Sequence, residues 1–441
     1  MATLPPELVE LVVDQLADDR PALAACSLAH SSCTRRARHH LFRRVCLNEG
    51  PRGARFRALV DAAPHLGRFV REVELCGTTL QQTHLGVFDL RWPTLTQGRA
   101  GPSDAAATDH STDAAAPAPA HWLERVLPQS PTVLARTTTL RLTGLAITPA
   151  LAAVLEAHFA AVTTVALDAC RAPSFADLCA LPRALRAVQH LYLLDAHWLR
   201  AAPALASADT PAPAPDALAT LHPPTLQTLV LSGKVDAATV LTWLVAERRF
   251  AALTSLVCDV SGVPAARALR PLLHALGPSL QYLGIGFSAV RDATEVLTTS
   301  ALTLAPCTGL ARLDLLCTSA TRAASLSWTI ALLARLASPR LAALAFRVPA
   351  AHAAALNLDV LAVVLAHQRY TALRRVEFVV EVRGAGDGGK SAGKGERKGR
   401  EELEERLRTR LAALVARGVE LSITYQPPAR ALCPPRRVAP A

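Results

Sequence analysis

The sequence predicts an α/β fold in which a short three-helix module precedes a solenoid of parallel strands and helices. Three observations predict it: hydrophobic residues make up 51% of the 441 residues, short segments with one shared apolar pattern recur along the chain, and the first 47 residues have helical spacing instead. This apolar content is enough for a large core, which excludes global disorder. Aromatic residues contribute only 4%, so Leu, Val and Ala must build most of the core.

Each recurring segment has apolar residues at positions 1, 4 and 6 of a six-residue frame, as in Val70–Leu75, Leu226–Leu231 and Leu280–Ile285. The sixth position of successive copies falls at residues 75, 142, 167, 193, 231, 258, 285, 315, 346, 378 and 423. In a strand, positions 4 and 6 point to the same face, and position 1 enters the core from the preceding turn. Because one copy cannot bury its own apolar face, the copies are expected to stack.

Helical runs rich in Ala and Leu separate the strand segments, for example at Ala237–Arg249 and Ala323–Leu336. Most intervals between copies are 25 to 32 residues. An L-x-x-L-x-L frame that recurs at this period resembles the leucine-rich repeat. That resemblance implies a solenoid with parallel strands on its concave face and helices outside. A doubly wound α/β domain is the alternative, but its strands need not share a frame.

Composition and repeat positions set the expected boundaries. They are a helical module at 1–47, a junction with the first repeat at 48–95, a flexible linker at 96–120, the repeats at 121–425 and a disordered tail at 426–441. Loops are expected within the repeats at 201–224, where proline disfavours helix and central strand, and at 383–400, which is rich in Gly and Lys. Helical periodicity resumes only near Glu401, so the second loop is expected to be solvated.

The net charge of +11 is unevenly distributed. Residues 35–71 hold ten Arg against Glu49 and Asp61, and residues 383–400 hold six Lys or Arg against two acidic residues. A nucleic-acid groove is usually one basic stripe on a folded face, with polar or aromatic groups that contact bases. The charge here falls in one helical patch and in expected loops, which disfavours nucleic acid as a partner.

Cysteine usage and hydropathy predict an intracellular protein, cytoplasmic and/or nuclear. The ten cysteines contain no C-x-x-C pair and no zinc spacing, so they are expected to be reduced packing residues rather than metal ligands. No apolar run reaches the length of about 18 residues that a membrane helix needs. The amino terminus lacks the basic region of a signal peptide. No cofactor and no membrane contact are expected.

The amino-terminal residues predict three helices. Pro5 and Pro6 suit a first helical turn, Asp18 and Asp19 mark a second helix start, and Thr34 is a candidate cap for a third. The first helix carries an apolar stripe at helical spacing: Leu4, Leu8, Leu11, Val12 and Leu16. The expected inner face of the second helix holds Leu23, Ala24 and Leu28. So small a module cannot bury all of these side chains, so leftover apolar surface is expected to dock elsewhere.

The segment from Leu4 to Leu47 resembles the F-box, whose pattern is a Leu-Pro start, an acidic residue, spaced aliphatic residues and a Leu-x-x-Cys-x-x-Trp-like stretch. It is especially similar to F-box proteins of basidiomycete fungi, which commonly combine this module with leucine-rich repeats. Where the family often has Cys and then Trp, the chain has His30 and Cys33. The resemblance implies adaptor-facing or core roles for Leu4, Pro5, Leu8, Val12, Leu16, Leu23 and Leu28.

The same resemblance implies a non-catalytic subunit of a cullin-RING ubiquitin ligase. F-box modules bind a small Skp-type adaptor, which links them to a cullin and a RING subunit, while the repeats present a protein substrate. Frame positions 3 and 5 of the concave face hold residue types enriched in binding hot spots. The candidate substrate contacts are His190, Tyr192, Tyr282, Arg312, Asp314, Arg375 and Glu377. The alternative is a leucine-rich scaffold without a ligase, in which the first helices only cap the repeats.

Gly384–Ser391 matches the phosphate-binding pattern G-x-x-x-x-G-K-S and follows the expected strand Val376–Val382. The pattern needs a helix start directly after it, because backbone amides there hold the phosphates. The sequence after Ser391 is too rich in Gly to begin a helix, and no later strand offers an Asp for magnesium. A nucleotide-dependent enzyme is therefore disfavoured, and no catalytic residue is expected.

Overall fold

A computed structural model describes residues 5–77, 120–200, 226–248, 250–287, 290–317, 327–353, 356–382 and 394–426. The protein is a mixed α/β structure whose main strands pair in parallel. It divides into two compact units, one spanning Met1–Val188 with Trp198–Ala201 and the other Gln189–His197 with Ala202–Ala441. Within the described ranges, no helix combines the length and apolar character needed to cross a membrane.

The first unit begins with three helices and continues as alternating strands and helices. Its helices are α1 (Pro6–Gln15), α2 (Arg20–Ala29), α3 (Ser31–Arg43), α4 (Pro51–Ala62), α5 (Ala120–Val126), α6 (Pro149–His158) and α7 (Phe175–Ala184). Its strands include β1 (Arg44–Asn48), β2 (Glu72–Cys76), β3 (Thr139–Thr143), β4 (Thr164–Asp168) and β5 (Arg171–Ser174). Strands β1 to β4 pair in parallel and lie side by side in chain order.

The second unit repeats strand and helix in the same way. Its strands are β6 (His190–Leu194), then, after β7 (His197–Arg200), β8 (Thr228–Ser232), β9 (Ser255–Val260), β10 (Tyr282–Phe287), β11 (Arg312–Leu316), β12 (Ala343–Pro349), β13 (Arg375–Glu381) and β14 (Glu420–Gln426). Strand β7, of which Trp198–Arg200 belongs to the first unit, pairs with β5 of that unit. The strands β6 and β8 to β14 lie side by side in chain order. The helices are α8 (Ala237–Ala246), α9 (Gly262–Leu276), α10 (Val290–Thr298), α11 (Ser327–Ala334), α12 (Ala350–Ala353), α13 (Leu358–Ala366), α14 (Lys394–Arg410) and α15 (Ala412–Ala416).

Several helices start at polar side chains that cap their free amides. Asp19 accepts a hydrogen bond from Ala22 N at the start of α2, and Thr148 does the same for Leu151 N in α6. Ser174 begins α7 with a capping box. Each cap satisfies one of the backbone donors that the first helical turn leaves without a partner, so the helix boundaries follow from local sequence.

The strand pairs confirm the six-residue frame predicted from the sequence. Sixth positions of neighbouring copies pair directly with one another, as Leu75 does with Leu142 in the first unit. In the second unit, Ile285 pairs with Leu315, and Phe346 pairs with Phe378. These side chains are at most 1% exposed, and the last two stack their rings with centroids 5.1 Å apart. The frame therefore defines one continuous buried layer within each unit.

Helices of the second unit pack in the same order as its strands. Helix α8 contacts α9, α9 contacts α10, α10 contacts α11, and α11 contacts α13. Leu269, Leu272 and Leu273 of α9 are all 0% exposed. Successive helices of this unit therefore bury apolar surface against one another.

The third helix of the amino-terminal module begins earlier than predicted. It starts at Ser31, where the His30 ring nitrogen accepts a hydrogen bond from Ser32 N at 3.2 Å. Thr34 is not the cap: its hydroxyl donates to the carbonyls of Ser27 and His30, both at 3.1 Å. The capping acceptor of α3 is therefore the His30 ring nitrogen and not the Thr34 hydroxyl.

The prediction of a helical module that continues to residue 47 was wrong at its end. Helix α3 stops at Arg43, and Arg44–Asn48 forms β1, in register with β2. Phe42–Leu47 in fact matches the strand frame, with Val45 and Leu47 at positions 4 and 6. Leu47 pairs with Leu75 and is 0% exposed, so the first strand directly follows the three helices.

The loop predicted at 383–400 was wrong for its second half, because α14 begins at Lys394. A glycine in a helix costs about 1 kcal/mol, but extending a helix that has already formed is favourable. Residues further along the chain hold α14 in place. Leu407 and Leu411 are 1% and 0% exposed, and Arg410 pairs with Asp359 of α13 at 2.8 Å. The free energy gained from these contacts exceeds the cost of the helical glycines that precede Glu401.

The other predicted linkers and loops lie outside the described residues. These are the linker at 96–120 up to its last residue, the loop at 201–224, the phosphate-binding pattern at Gly384–Ser391 and the tail at 426–441 after its first residue. The predictions made for them, including the weak case for nucleotide binding, therefore stay predictions.

Position 6 of the frame offers a direct test of this core. Leu315 lies between Ile285 and Phe346 and is 0% exposed. We expect Leu315→Ala to lower the free energy of unfolding by about 2–5 kcal/mol, because it removes buried contacts and leaves a cavity. Urea unfolding measures the loss. The control is Val363→Ala on α13, where the side chain is 73% exposed and the change should stay below about 0.5 kcal/mol; equal losses would contradict the core assignment.

Candidate functional site

Helix α1 carries an apolar face that is exposed to solvent. Leu8, Leu11 and Val12 are 46%, 56% and 63% exposed, and they share one side of the helix because residues three and four apart are neighbours. Leu28 near the end of α2 is 87% exposed. We call Leu8, Leu11 and Val12 the α1 apolar face. These adjacent exposed apolar side chains make this side of α1 a candidate interaction surface.

The three helices have a small core of their own. It consists of one buried residue from each helix: Val13, Leu23 and Ala37, at 2%, 0% and 0% exposed. The partly buried side chains that pack against it are Leu16, Cys26, Cys33 and Leu41. Of the predicted apolar stripe, Leu16 packs against this core, whereas Leu8, Leu11 and Val12 are exposed. Val13, which the predicted stripe did not include, is the residue of this helix that is buried. Ala24 and Leu28, predicted to face inward on α2, are instead exposed.

A polar clamp holds α1 against α3. The Asp14 carboxylate accepts two hydrogen bonds from the Arg36 guanidinium, at 2.5 Å from Nε and 2.7 Å from Nη2. His40 Nε2 lies 2.7 Å from the same carboxylate. The hydrogen bond from Arg36, followed by that from His40, holds the pKa of Asp14 far below its usual range. A two-point pair of this kind fixes orientation as well as distance, so α1 is held with its apolar face outward.

The adaptor-binding candidates occupy different environments. Those exposed to solvent are Pro5, Leu8, Val12 and Leu28. Leu16 is half-buried against the module core, and Leu23 is completely buried within it, so Leu23 supports the module rather than offering a contact. Leu4 lies outside the described residues. At the position where the F-box family often has an aromatic residue, Cys33 packs against the module core.

In the second unit, four of the substrate candidates form one polar network on the face opposite frame positions 4 and 6. The Tyr282 hydroxyl donates to Asp314 Oδ2 at 3.0 Å, and Arg312 Nε donates to Asp314 Oδ1 at 2.8 Å. Arg312 Nη2 also donates to Glu377 Oε2 at 3.2 Å. Arg347 Nε lies 3.6 Å from Asp314 Oδ2. We call these five residues the Asp314 network; it spans β10 to β13.

Two guanidinium groups balance two carboxylates in the Asp314 network. Burial raises the pKa of Tyr282, so its hydroxyl keeps the proton that it donates to Asp314. Burial opposes the charge of Arg312, but the attraction and hydrogen bond of Asp314 outweigh it and raise the pKa of Arg312. Asp314 itself is 0% exposed. Its carboxylate therefore orients Tyr282 and Arg312, and only its half-buried neighbours are accessible to a partner.

The remaining substrate candidates lie apart from this network. His190 and Tyr192 are half-buried at positions 3 and 5 of β6, which β8 and β9 separate from β10. On the two intervening strands, β8 and β9, frame position 5 is occupied by Val230 and Val257, which are both 0% exposed. Arg375 is exposed at the start of β13. The structure thus brings together Tyr282, Arg312, Asp314 and Glu377, but not all seven candidates.

Sequence reasoning missed Arg347 and the convergence of Cys46, Glu74 and Cys76. The two thiol sulfurs are 3.6 Å apart although the residues are 30 positions apart in sequence. A search for short cysteine spacing cannot find such a pair. Aligning all copies of the strand frame would have found it, because position 5 of β1 and positions 5 and 7 of β2 share one face.

No protein-family model matches the chain. No curated protein matches it either. The functional argument therefore rests on the geometry and chemistry of the surfaces described above.

The Asp14 clamp predicts a pH-dependent stability. Because the folded-state pKa of Asp14 lies below the unfolded value of about 3.9, its carboxylate stabilises the fold above that pH, and this contribution is lost as the pH falls through the folded value. We expect Asp14→Asn to destabilise the protein by about 1 kcal/mol at pH 7, given its partial exposure, and by progressively less in acid. Thermal unfolding at several pH values measures this.

The control for the clamp is Glu156→Gln, since Glu156 is half exposed and its contact with Arg186 is 3.8 Å long. It should change stability little at any pH. A difference between Asp14→Asn and the unmodified protein that stays constant down to pH 2 would contradict the role of the Asp14 charge.

We expect Asp314 to contribute to the stability of the fold. We expect Asp314→Ala to lower the free energy of unfolding by about 3 kcal/mol, because it leaves a half-buried guanidinium without its closest partner. Arg375→Ala is the control, since Arg375 is exposed on β13 and its loss should cost less than about 0.5 kcal/mol. Unfolding midpoints in urea compare the two. Comparable values for both variants would show that the network contributes no stability.

Proposed function

We propose that the chain is a non-catalytic substrate-recognition subunit of a cullin-RING ubiquitin ligase. In this proposal the three amino-terminal helices bind a Skp-type adaptor, and the strand face of the following repeats binds a protein substrate. The observation that carries the proposal is the α1 apolar face, held outward by the Asp14 clamp while the module core uses other residues.

The energetics of the α1 apolar face suit a protein partner. Burying one exposed Leu or Val side chain contributes about 1.5–3 kcal/mol, so Leu8, Leu11 and Val12 together supply a substantial hydrophobic contribution. The helices that carry them are positioned before binding, which reduces the entropy lost on association. The F-box resemblance of residues 4–47 identifies the partner in the proposal as a Skp-type adaptor.

The repeats fit the proposed leucine-rich solenoid in three respects. Their strands pair in parallel and in register, their apolar frame positions are buried, and successive helices of the second unit pack in chain order. A solenoid presents an extended face on which side chains of many strands align. In this proposal, Tyr282, Arg312 and Glu377 of the Asp314 network contact the substrate, together with Arg375, His190 and Tyr192 elsewhere on the strands.

The proposed mechanism is proximity. An adaptor bound to the amino-terminal helices and a substrate bound to the repeats raise the effective concentration of substrate lysines near a charged ubiquitin-conjugating enzyme. This mechanism needs no catalytic group in the chain itself. The competing function is a protein-interaction scaffold in which the same helices serve no ligase; adaptor binding separates the two.

A pull-down with recombinant Skp-type adaptor tests the proposal. We expect the full chain to bind, and the double variant Leu8→Asp, Val12→Asp to lose binding at least tenfold, because two buried charges would replace apolar contacts, each costing more than about 1.4 kcal/mol. Both residues are exposed, so the fold should be retained, which circular dichroism verifies.

The matched control is Val363→Asp, an exposed aliphatic residue on α13 of the second unit, which should leave adaptor binding unchanged. Failure of the unmodified chain to bind the adaptor would refute the ligase proposal and favour the scaffold. Binding that survives in the double variant would refute the assignment of the α1 apolar face.

A further inference from the structure

Three metal-ligating side chains converge on the strand face of the first unit. Cys46 of β1 lies opposite Glu74 of β2 in the register, and Cys76 follows two residues along β2. The two sulfurs are 3.6 Å apart, and the ligand atoms of all three residues lie within 4.8 Å of one another. Backbone pairing of the two strands holds these side chains together.

The sulfur–sulfur distance matches a tetrahedral metal centre. With metal–sulfur bonds of about 2.3 Å and a tetrahedral angle, two thiolates on zinc lie about 3.8 Å apart. The 3.6 Å separation of the sulfurs is within the tolerance of about 0.2 Å that coordination distances allow. A disulfide requires about 2.05 Å, so the present spacing suits a shared ion better than a bond between the two sulfurs.

The donor set selects the class of metal. Two sulfurs and one carboxylate oxygen together suit zinc, which accepts both kinds of ligand. Calcium and magnesium require oxygen ligands throughout, and monovalent copper prefers sulfur over carboxylate. Among the common biological ions, zinc therefore fits these three side chains.

Neighbouring residues balance the charge and orient the carboxylate. Two thiolates and a carboxylate carry three negative charges, and zinc supplies two positive charges. Arg141 Nε lies 3.7 Å from Glu74 Oε1, and the Thr143 hydroxyl donates to the same oxygen at 3.4 Å. Arg141, which also pairs with Asp168, offsets part of the remaining charge. Thr143 acts as the kind of outer partner that fixes a ligating group.

The geometry points to a zinc site formed by Cys46, Glu74 and Cys76, with its fourth position open to solvent beside the exposed Cys46. Two zinc–sulfur bonds and one zinc–oxygen bond form, and the two thiol protons pass to water. Strand β1 follows α3 directly. The ion therefore links the strand next to the three-helix module to β2. The site is independent of ubiquitin ligase activity.

Cobalt(II) substitution tests the site. The full chain is reduced, freed of metal and titrated with cobalt(II), whose near-ultraviolet thiolate-to-metal absorption reports sulfur ligation. We expect one equivalent to bind with this absorption and zinc to displace it. Cys46→Ser and Cys76→Ser should each lose at least half of the absorption. Glu74→Gln keeps both sulfurs and should weaken zinc binding by roughly 10–100-fold or more, the cost of losing even an outer partner.

Cys33→Ser is the matched control, because it removes a partly exposed thiol that packs against the module core; it should leave the absorption unchanged. Cys46 is exposed, so Cys46→Ser decides the matter even if Cys76→Ser fails to fold. Absence of thiolate absorption in the unmodified chain overturns the proposal, as does absorption that stays undiminished in Cys46→Ser. A Cys46–Cys76 disulfide found by mass spectrometry, in a protein that takes no metal after reduction, also overturns it and assigns the pair to redox chemistry.

Discussion

The in-register parallel pairing of neighbouring strands is the constraint on which the rest of each unit depends. Equivalent frame positions meet laterally, so Ile285 pairs with Leu315 and Leu315 with Phe346. A shift of one residue would turn each of these side chains to the opposite face. Burial of positions 4 and 6 therefore fixes the register, and the register in turn decides which polar residues become neighbours on the other face.

That lateral alignment creates both polar clusters of the strand face. In the second unit it pairs Tyr282 with Arg312, two residue pairs from Asp314. The network therefore draws on positions 3, 5 and 7 of successive strands. In the first unit it sets Cys46 opposite Glu74. Each cluster joins groups from strands that are about 30 residues apart in sequence. Their chemistry is a product of the repeat, since each strand contributes only one or two groups.

Sequence patterns predicted the strands better than the helix faces. Because the apolar frame recurs in many copies, a mismatch in one copy does not hide the pattern. Even the weak copies that end at Leu142 and Ile423 form strands. The stripe on α1 had no such repetition. Periodicity shows that Leu8, Val12 and Leu16 share a helix side, but only packing decides that Leu16 turns inward with Val13. The start of α14 was missed for a related reason, because contacts distant in sequence override glycine content.

The residues of α1 that stabilise the three-helix module differ from those that are exposed to solvent. Apolar burial in three short helices is limited, and Val13, Leu23 and Ala37 make only a small core. The Asp14 clamp adds orientation that this core cannot supply alone, and it draws on polar side chains. Because folding depends on Val13 and Asp14, Leu8, Leu11 and Val12 are free to remain exposed. In the proposed adaptor complex, folding and partner binding would depend on different residues of one helix, so we expect substitutions on the exposed face to report on binding alone.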